Sequence, residues 1–179
     1  EVVCPAPYFV EYGFYAGNYG GVLKPVKSTP GDFRLDLAGL EAAINDKTRV
    51  MLVNSPNNPS GAVYSADELQ QLSAILNRAT AKYGRPIYLL SDEPYRFLAF
   101  DGIDVPAILP LYPYSLVIGS FSKNLALAGE RVGYIATNPT MPGVQQLMAA
   151  LTLTNRILGY VNAPCIGQRL MLAALGTQA

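Results

Sequence analysis

Histidine is absent from this chain of 179 residues. Without histidine there can be no Ser-His-Asp or Cys-His catalytic arrangement, and no metal site that depends on histidine ligands. Any chemistry must therefore use other side chains. Cysteine is also scarce: Cys4 and Cys165 lie far apart and form no C-x-x-C pair. This pattern indicates neither a disulfide framework nor a metal-binding knuckle, and we predict a reducing, cytoplasmic environment.

Long apolar runs and an excess of one charge are missing as well. No run approaches the ~20 apolar residues that a membrane-spanning helix needs. Lysine plus arginine equals aspartate plus glutamate, at 13 each, so no basic field is available for nucleic acid or an acidic membrane. These absences favour a small-molecule role, and we expect no nucleic-acid partner and no membrane partner.

Apolar residues make up half of the sequence, which suits one globular domain with a substantial core. Short aliphatic or β-branched runs bounded by Gly, Pro, Ser or Asn alternate with segments of helical spacing. This alternation predicts a mostly parallel sheet with helices on both faces, a three-layer α/β/α sandwich. The predicted strands lie at residues 2–3, 22–26, 50–53, 87–90 and 116–118.

Local signals place the helices. Residues 37–44 have helical spacing after a possible N-cap at Asp36, and Ser65 with Glu68 forms an S-x-x-E capping box for a helix that should end near residue 84. Residues 131–136 follow the preceding strand too closely for a helical crossover, so we predict an antiparallel strand there. From Met141 onward two helices are expected, with a break around 162–164.

Three polar motifs follow predicted strands, where a doubly wound sheet presents its ligand-binding loops. They are Asn54-Ser-Pro-Asn-Asn58-Pro-Ser-Gly61, Ser91-Asp92-Glu-Pro-Tyr95, and Ser120-Phe-Ser122-Lys123 with Gly129-Glu-Arg131-Val-Gly133. Together they resemble the class I/II aminotransferases of the aspartate aminotransferase superfamily, pyridoxal-phosphate enzymes of fold type I. Each motif is modest alone, but their order is specific, and the resemblance spans nearly the whole chain.

The resemblance implies that residues 1–179 form part of the large, cofactor-binding domain, truncated at both ends, with the small domain absent. It implies pyridoxal 5'-phosphate as the cofactor, an amino acid and a 2-oxo acid as substrates, and a homodimer for the intact protein. A phosphate-binding loop and the arginine that binds the substrate's α-carboxylate would lie outside this sequence. Arg96, Arg156 and Arg169 match no such position.

Lys123, Asp92 and Tyr95 are the catalytic residues that the resemblance implies. Lys123 would hold the cofactor as an aldimine, which requires an amine, and would move the substrate's α-proton. Asp92 would pair with the pyridinium nitrogen, because a protonated ring accepts electrons. Tyr95, one turn along if a helix or turn begins at Asp92, would share the ring's phenolic oxygen with Asn58. Asn54 is a further candidate beside the cofactor.

Hydroxyls and a guanidinium are what a phosphate dianion needs, and the resemblance implies that Ser120, Ser122 and Arg131 supply them. Phe9 aligns with the family's aromatic residue that stacks on the cofactor ring. Several of these candidates also have a plainer structural interpretation. Lys123 can be a surface lysine, Asp92 and the two serines can cap helices, the loop around Asn58 can be a turn, and Phe9 can be a core aromatic.

We therefore predict an aminotransferase. Two alternatives stay open, since the cofactor stabilises the same carbanion in relatives that catalyse other reactions. One is a pyridoxal-phosphate lyase or decarboxylase, and the other is a non-catalytic aminotransferase-like regulatory module. A nucleotide-binding Rossmann domain is not favoured, because the sequence contains neither G-x-G-x-x-G nor G-x-x-x-x-G-K-[ST].

Overall fold

A single six-stranded sheet organises the computed structural model, which describes residues 1–175. The last four residues of the predicted domain 1–179 lie outside the described residues. The strands are β1 (Val2–Ala6), β2 (Leu23–Lys27), β3 (Val50–Asn54), β4 (Tyr88–Asp92), β5 (Ser115–Ser120) and β6 (Gly133–Thr137). Their spatial order is β2-β1-β3-β4-β5-β6. All neighbouring pairs are parallel except β5 and β6. This confirms the mostly parallel sheet and its antiparallel last strand.

Helices connect the strands. They are α1 (Glu11–Gly17), α2 (Leu37–Ala43), α3 (Ala66–Tyr83), α4 (Phe121–Asn124), α5 (Val144–Ile157) and α6 (Cys165–Ala174), with short 3-10 helices at Arg96–Leu98 and Ala128–Glu130. Both predicted caps are confirmed. Asp36 accepts a hydrogen bond from the Gly39 N–H, and Ser65 and Glu68 form a complete capping box. The predicted break between the last two helices is also present.

The hydrophobic core lies between the sheet and α2 with α3. The inward face of α3 presents Leu69, Leu72, Leu76 and Ala79, all of which are buried. This spacing places apolar side chains on one side of a 3.6-residue helix, while the capping box starts the helix and left-handed Gly84 ends it. From the sheet, buried side chains of β1, β3 and β4 meet this face.

Strand alternation decides which side chains face away from this core. Met51 and Val53 of β3 point into the core. Because successive strand residues point to opposite faces, Asn54 points to the other side. Asp92 of β4 pairs in register with Asn54. Leu89 of β4 points into the core, so Asp92, three residues later, points to the other side. The polar residues at the carboxyl ends therefore lie on the face opposite α2 and α3.

The second face is covered much less completely. Helix α5 borders Ile118 of β5 through Met148 and Leu151, and α6 approaches Val132 at Gly167. Many apolar side chains of these two helices remain exposed, including Leu153, Ile157 and Leu172. No helix within residues 1–175 has both the length and the apolar character needed to cross a membrane.

Candidate functional site

A cavity of about 440 Å³ opens at the carboxyl edge of the sheet. It lies where β3, β4 and β5 end, which is where open α/β sheets bind ligands. All of the predicted site residues line it, and Asn54 does so too. They are Phe9, Asn58, Asp92, Tyr95, Ser120, Ser122, Lys123 and Arg131. Residues from five separate segments of the chain thus meet around one space.

Asp92 is the last residue of β4 and is half-buried at the cavity wall. Its Oδ2 accepts a hydrogen bond from the Tyr12 hydroxyl at 2.5 Å. Burial raises the pKa of the Asp92 carboxyl above its usual range, the hydrogen bond from Tyr12 opposes that change, and the neighbouring Glu93 charge adds to it. The carboxylate therefore accepts from Tyr12 and caps no helix in the part of the chain that the structure describes.

Asn54 links the strand ends. Its side chain is 3% exposed. Its Oδ1 accepts from the main-chain N–H of Asn58 at 2.7 Å, and its Nδ2 donates to the main-chain oxygen of Asp92 at 2.8 Å. The amide that was a candidate cofactor contact is thus already engaged with the main chain. Asn54 lines the cavity and fixes the spacing between Asn58 and Asp92.

Tyr95 reaches the cavity by a route that differs from the expected one. No helix begins at Asp92, because the Glu93 N–H donates to the Ile118 oxygen at 2.8 Å and continues the sheet ladder. Glu93 also precedes Pro94, which disfavours helical geometry there. The 3-10 helix starts only at Arg96. The condition for placing Tyr95 one turn from Asp92, a helix or turn that begins at Asp92, is therefore not met, although both side chains line the cavity.

A partly buried ion pair holds the segment from Glu93 to Arg96. The Glu93 side chain is 5% exposed, and its Oε2 lies 2.9 Å from Nη1 of Arg96. Ser91 donates to the other oxygen of Glu93 at 2.8 Å. Nη2 of Arg96 donates to the Val105 main-chain oxygen at 2.6 Å. The segment that carries Asp92 and Tyr95 is thereby tied to the loop that follows it.

Lys123 projects from the one-turn helix α4 into the cavity, and its Nζ lies 5.7 Å from the centre of the Tyr95 ring. Ser120 is the N-cap of α4, since its Oγ accepts from the Ser122 N–H at 3.1 Å. The capping interpretation of Ser120 therefore holds, and its hydroxyl hydrogen is still able to serve a ligand. Ser122 lies within α4, so the same interpretation does not apply to it.

Arg131 occupies a strained position beside Lys123 and the two serines. Its φ is 54° and its ψ is 45°, a left-handed conformation that costs a residue with a Cβ about 1–2 kcal/mol. Its Nη1 donates to the Ala128 oxygen at 2.9 Å. Two residues on, a Cβ at Gly133 would lie 2.6 Å from the Gly119 oxygen, so β6 can approach β5 only with glycine there. Strain of this kind is often retained at ligand sites.

Phe9 lies just before α1, which begins at Glu11, so it is not within a helix. Its ring meets Tyr12 edge to face, with centroids 5.6 Å apart and an interplanar angle of 81°. Phe9 is half-buried and lines the cavity, so the structure places it with the other candidates and outside the main hydrophobic core.

Sequence reasoning missed three residues of α1 that line the cavity, namely Glu11, Tyr12 and Tyr15. The Tyr15 hydroxyl donates to Glu11, and Tyr12 bonds to Asp92. One signal was available in the sequence: Tyr15 follows Tyr12 by three residues and Glu11 by four, and residues at these spacings are neighbours on a helix surface. That spacing does not show which part of the protein this helix face contacts.

A second cavity is larger, at about 730 Å³, and lies between β5, β6, helix α5 and the segment that joins α5 to α6. Its lining is mainly apolar, from residues such as Ile118, Met148 and Leu151, and among residues 1–175 Arg131 is the one charged residue that borders it. Hydroxyls of Tyr134, Thr152 and Tyr160 line it, but in the part of the chain that the structure describes it is bordered by neither a carboxylate nor a lysine amine, whereas the first cavity has both. The first cavity is therefore the better candidate for chemistry.

Comparison with known proteins gives consistent results. A family model described as aminotransferase class I and II matches residues 1–179. An aspartate/prephenate aminotransferase of Cereibacter sphaeroides is 37% identical over 143 residues, which is 76% of this chain and 34% of that protein.

Two solved structures extend the comparison. An amino transferase structure from Eubacterium rectale has a TM-score of 0.95 and 39% identity, covering 99% of this chain and 45% of the other. Aspartate aminotransferase from Thermus thermophilus with maleate has a TM-score of 0.79 and 29% identity, covering 98% and 43%. The chain thus spans less than half the length of these relatives.

Proposed function

Because this chain belongs to the class I and II aminotransferases, we propose that its cavity binds pyridoxal 5'-phosphate and serves the transfer of an amino group from an amino acid to a 2-oxo acid. The observation that carries the proposal is the convergence of Lys123, Asp92, Tyr95, Asn58 and Arg131 on one cavity. As part of the same proposal, residues 1–179 belong to the large domain of a cytoplasmic homodimeric enzyme.

The donor set of the cavity fits this cofactor group by group. Lys123 supplies the amine that an aldehyde requires, and Asp92 supplies a carboxylate oxygen for a ring N–H. Two neutral donors, Tyr95 and Asn58, suit a phenolic oxygen. For the phosphate, Arg131 offers a guanidinium able to bind two oxygens, and Ser120 and Ser122 add hydroxyl donors. The aromatic ring of Phe9 is suited to contact with a flat heterocycle.

Each of these residues has a task in the proposed reaction. When bound, pyridoxal phosphate withdraws electrons from the substrate's α-carbon and so makes its proton removable. Lys123 would hold the cofactor covalently until the substrate's amino group displaces it, and its freed Nζ would then accept that proton and return it. Asp92 keeps a proton on the ring nitrogen by accepting its hydrogen bond. Arg131 and the serines fix the phosphate end, and so orient the ring relative to Lys123.

The test is covalent mapping of the cofactor. Protein mixed with pyridoxal 5'-phosphate is reduced with borohydride and digested, and the modified peptide is located by mass spectrometry. We expect modification at Lys123 and its loss in Lys123→Ala. Lys82 is the control lysine for this mapping. Its Nζ also lies over a tyrosine ring, 5.1 Å from the centre of Tyr83, but Lys82 lies outside the cavity. Modification that is unchanged in Lys123→Ala would contradict the proposal.

Reaction type needs a separate measurement in the full-length protein. Candidate amino acids are supplied with and without a 2-oxo acid acceptor, and the products are followed. Sustained 2-oxo acid formation that depends on the acceptor supports amino transfer. Sustained product formation without an acceptor would instead identify a lyase or a decarboxylase.

A further inference from the structure

Tyr12 makes the most direct contact between α1 and the candidate site. Its side chain is 6% exposed. Its hydroxyl donates to Oδ2 of Asp92 at 2.5 Å, across 80 positions of sequence. One hydrogen bond therefore joins the start of α1 to the end of β4, and it acts on a side chain rather than on the main chain.

This bond determines which oxygen of Asp92 is left for a ligand. Within residues 1–175 no group donates a hydrogen bond to Oδ1, and Asp92 lines the cavity. The terminal torsion of an aspartate is soft, so an unrestrained carboxylate samples a broad range of orientations. A hydrogen bond held at Oδ2 narrows that range and fixes the direction of Oδ1.

Tyr12 is itself well held as a donor. Burial, followed by the negative charge of Asp92, raises the pKa of the Tyr12 hydroxyl above its usual range. The hydroxyl therefore stays protonated at neutral pH. The edge-to-face contact with Phe9, at 5.6 Å between centroids, fixes the ring from the cavity side.

We propose that Tyr12 is a positioning residue that orients the Asp92 carboxylate, so that Oδ1 is presented to the ring nitrogen of the cofactor. The inference rests on the proposed function, because the cofactor is the group that Oδ1 would meet. The same bond favours the charged form of Asp92, since a donor stabilises an anion more than a neutral acid. Tyr12 thus offsets the effect of burial on this carboxyl.

The other groups around Asp92 define what a titration would report. Asp92 is flanked in sequence by Glu93, whose charge disfavours ionisation of Asp92. The remaining titratable side chains that line the cavity are Glu11, Tyr15, Tyr95, Lys123 and Arg131. Tyr15 is the closest match to Tyr12, since it lies on the same helix and lines the same cavity but donates to Glu11.

The first measurement needs no cofactor. Carbon-13 NMR of the Asp92 carboxyl gives its pKa in the wild-type protein, in Tyr12→Phe and in Tyr15→Phe. We expect Tyr12→Phe to raise the pKa of Asp92 and Tyr15→Phe to leave it unchanged. A Tyr12→Phe protein that is folded and has the wild-type pKa for Asp92 would overturn the inference.

The second measurement is the affinity for pyridoxal 5'-phosphate at neutral pH. Loss of a hydrogen bond to a charged group predicts that Tyr12→Phe weakens binding roughly ten-fold, with little change in Tyr83→Phe, which removes a tyrosine hydroxyl outside the cavity. Tyr12→para-aminophenylalanine, which keeps a donor at the same place, should restore both the affinity and the pKa. Equal weakening in the Phe and aminophenylalanine variants would overturn the inference, because a donor at this place would then make no difference to affinity.

These measurements separate the two proposals. If the wild-type protein does not bind the cofactor, the proposed function fails whatever the titration shows. If the cofactor binds and is fixed at Lys123, but Tyr12→Phe changes neither the pKa of Asp92 nor the affinity, the role of Tyr12 fails alone.

Discussion

The helices on the two faces of the sheet differ in how deeply their leucines are buried. In α3, Leu72 is completely buried against the sheet, whereas in α5 58% of the Leu153 surface is exposed. The layer of α2 and α3 closes a continuous core, while the opposite layer carries the candidate site through α1 and leaves much of α5 and α6 uncovered. Stability should therefore reside mainly in the first layer and ligand binding in the second.

The largest expected effect tests this division with a matched pair. Leu72→Ala should lower the free energy of unfolding by about 2–5 kcal/mol, because it removes buried methyl groups and leaves a cavity. Leu153→Ala should change it by less than about 0.5 kcal/mol. Urea denaturation measures both. A large loss in Leu153→Ala would mean that α5 is packed against another surface in solution, and the contrast between the layers would not hold.

Arg131 should show the reverse behaviour. Arg131→Lys keeps a positive charge but loses the two-pronged geometry that suits phosphate. We expect the affinity for pyridoxal 5'-phosphate to fall roughly ten-fold, since hydrogen bonds to a charged group are lost. The free energy of unfolding should change little. The control ligand is pyridoxal without phosphate, whose binding should not respond to Arg131→Lys. A similar loss of affinity for both ligands would show that Arg131 does not bind the phosphate.

Ser65, the N-cap of α3, tests how much a helix end contributes to the stability of the first layer. Ser65→Ala removes the acceptor for the Glu68 N–H and should lower the free energy of unfolding by about 1 kcal/mol. Ser65→Asp, which places another favoured N-cap residue there, should retain most of the wild-type stability. Neither change should alter cofactor affinity, because Ser65 lies outside the cavity at the carboxyl edge. Thermal unfolding with parallel binding assays checks both points, and altered binding would show that the two layers are coupled.

The two layers also differ in how much of their structure could be predicted from the sequence. Helix α3 could be predicted because its periodicity, its capping box and its glycine end are all local. Lys123 and Asp92 could be placed at one edge because each follows a strand of a parallel sheet. The geometry at Tyr95 could not be predicted, since a tertiary hydrogen bond from Glu93 to Ile118 extends the ladder past Asp92.

The contact between Tyr12 and Asp92 was out of reach for a related reason. It depends on how α1 crosses the end of β4, and no local pattern fixes the approach of two segments 80 residues apart. Asn54 shows an intermediate case. Its place at the cavity follows from its position at a strand end, but its engagement with the main chain of Asn58 and Asp92 appears only in the folded arrangement.

The smallest expected effect arises where stability and binding oppose each other within one residue. The pKa of Asp92 is raised in the folded protein, chiefly by burial, so the folded state holds its proton more tightly than the unfolded state does. Stability from this group is therefore fully present below the unfolded pKa and is lost as the pH rises through the folded one. Asp92→Asn removes the buried charge, and its side-chain oxygen can still accept from Tyr12.

At neutral pH the Asp92→Asn protein should thus be slightly more stable than wild type, while its affinity for the cofactor falls. The gain should vanish at acidic pH, where the wild-type carboxyl is protonated and resembles the amide. Unfolding free energies measured at several pH values give the answer. A variant that is less stable at neutral pH would mean that the ionised carboxylate of Asp92 contributes to the fold as well as to the site.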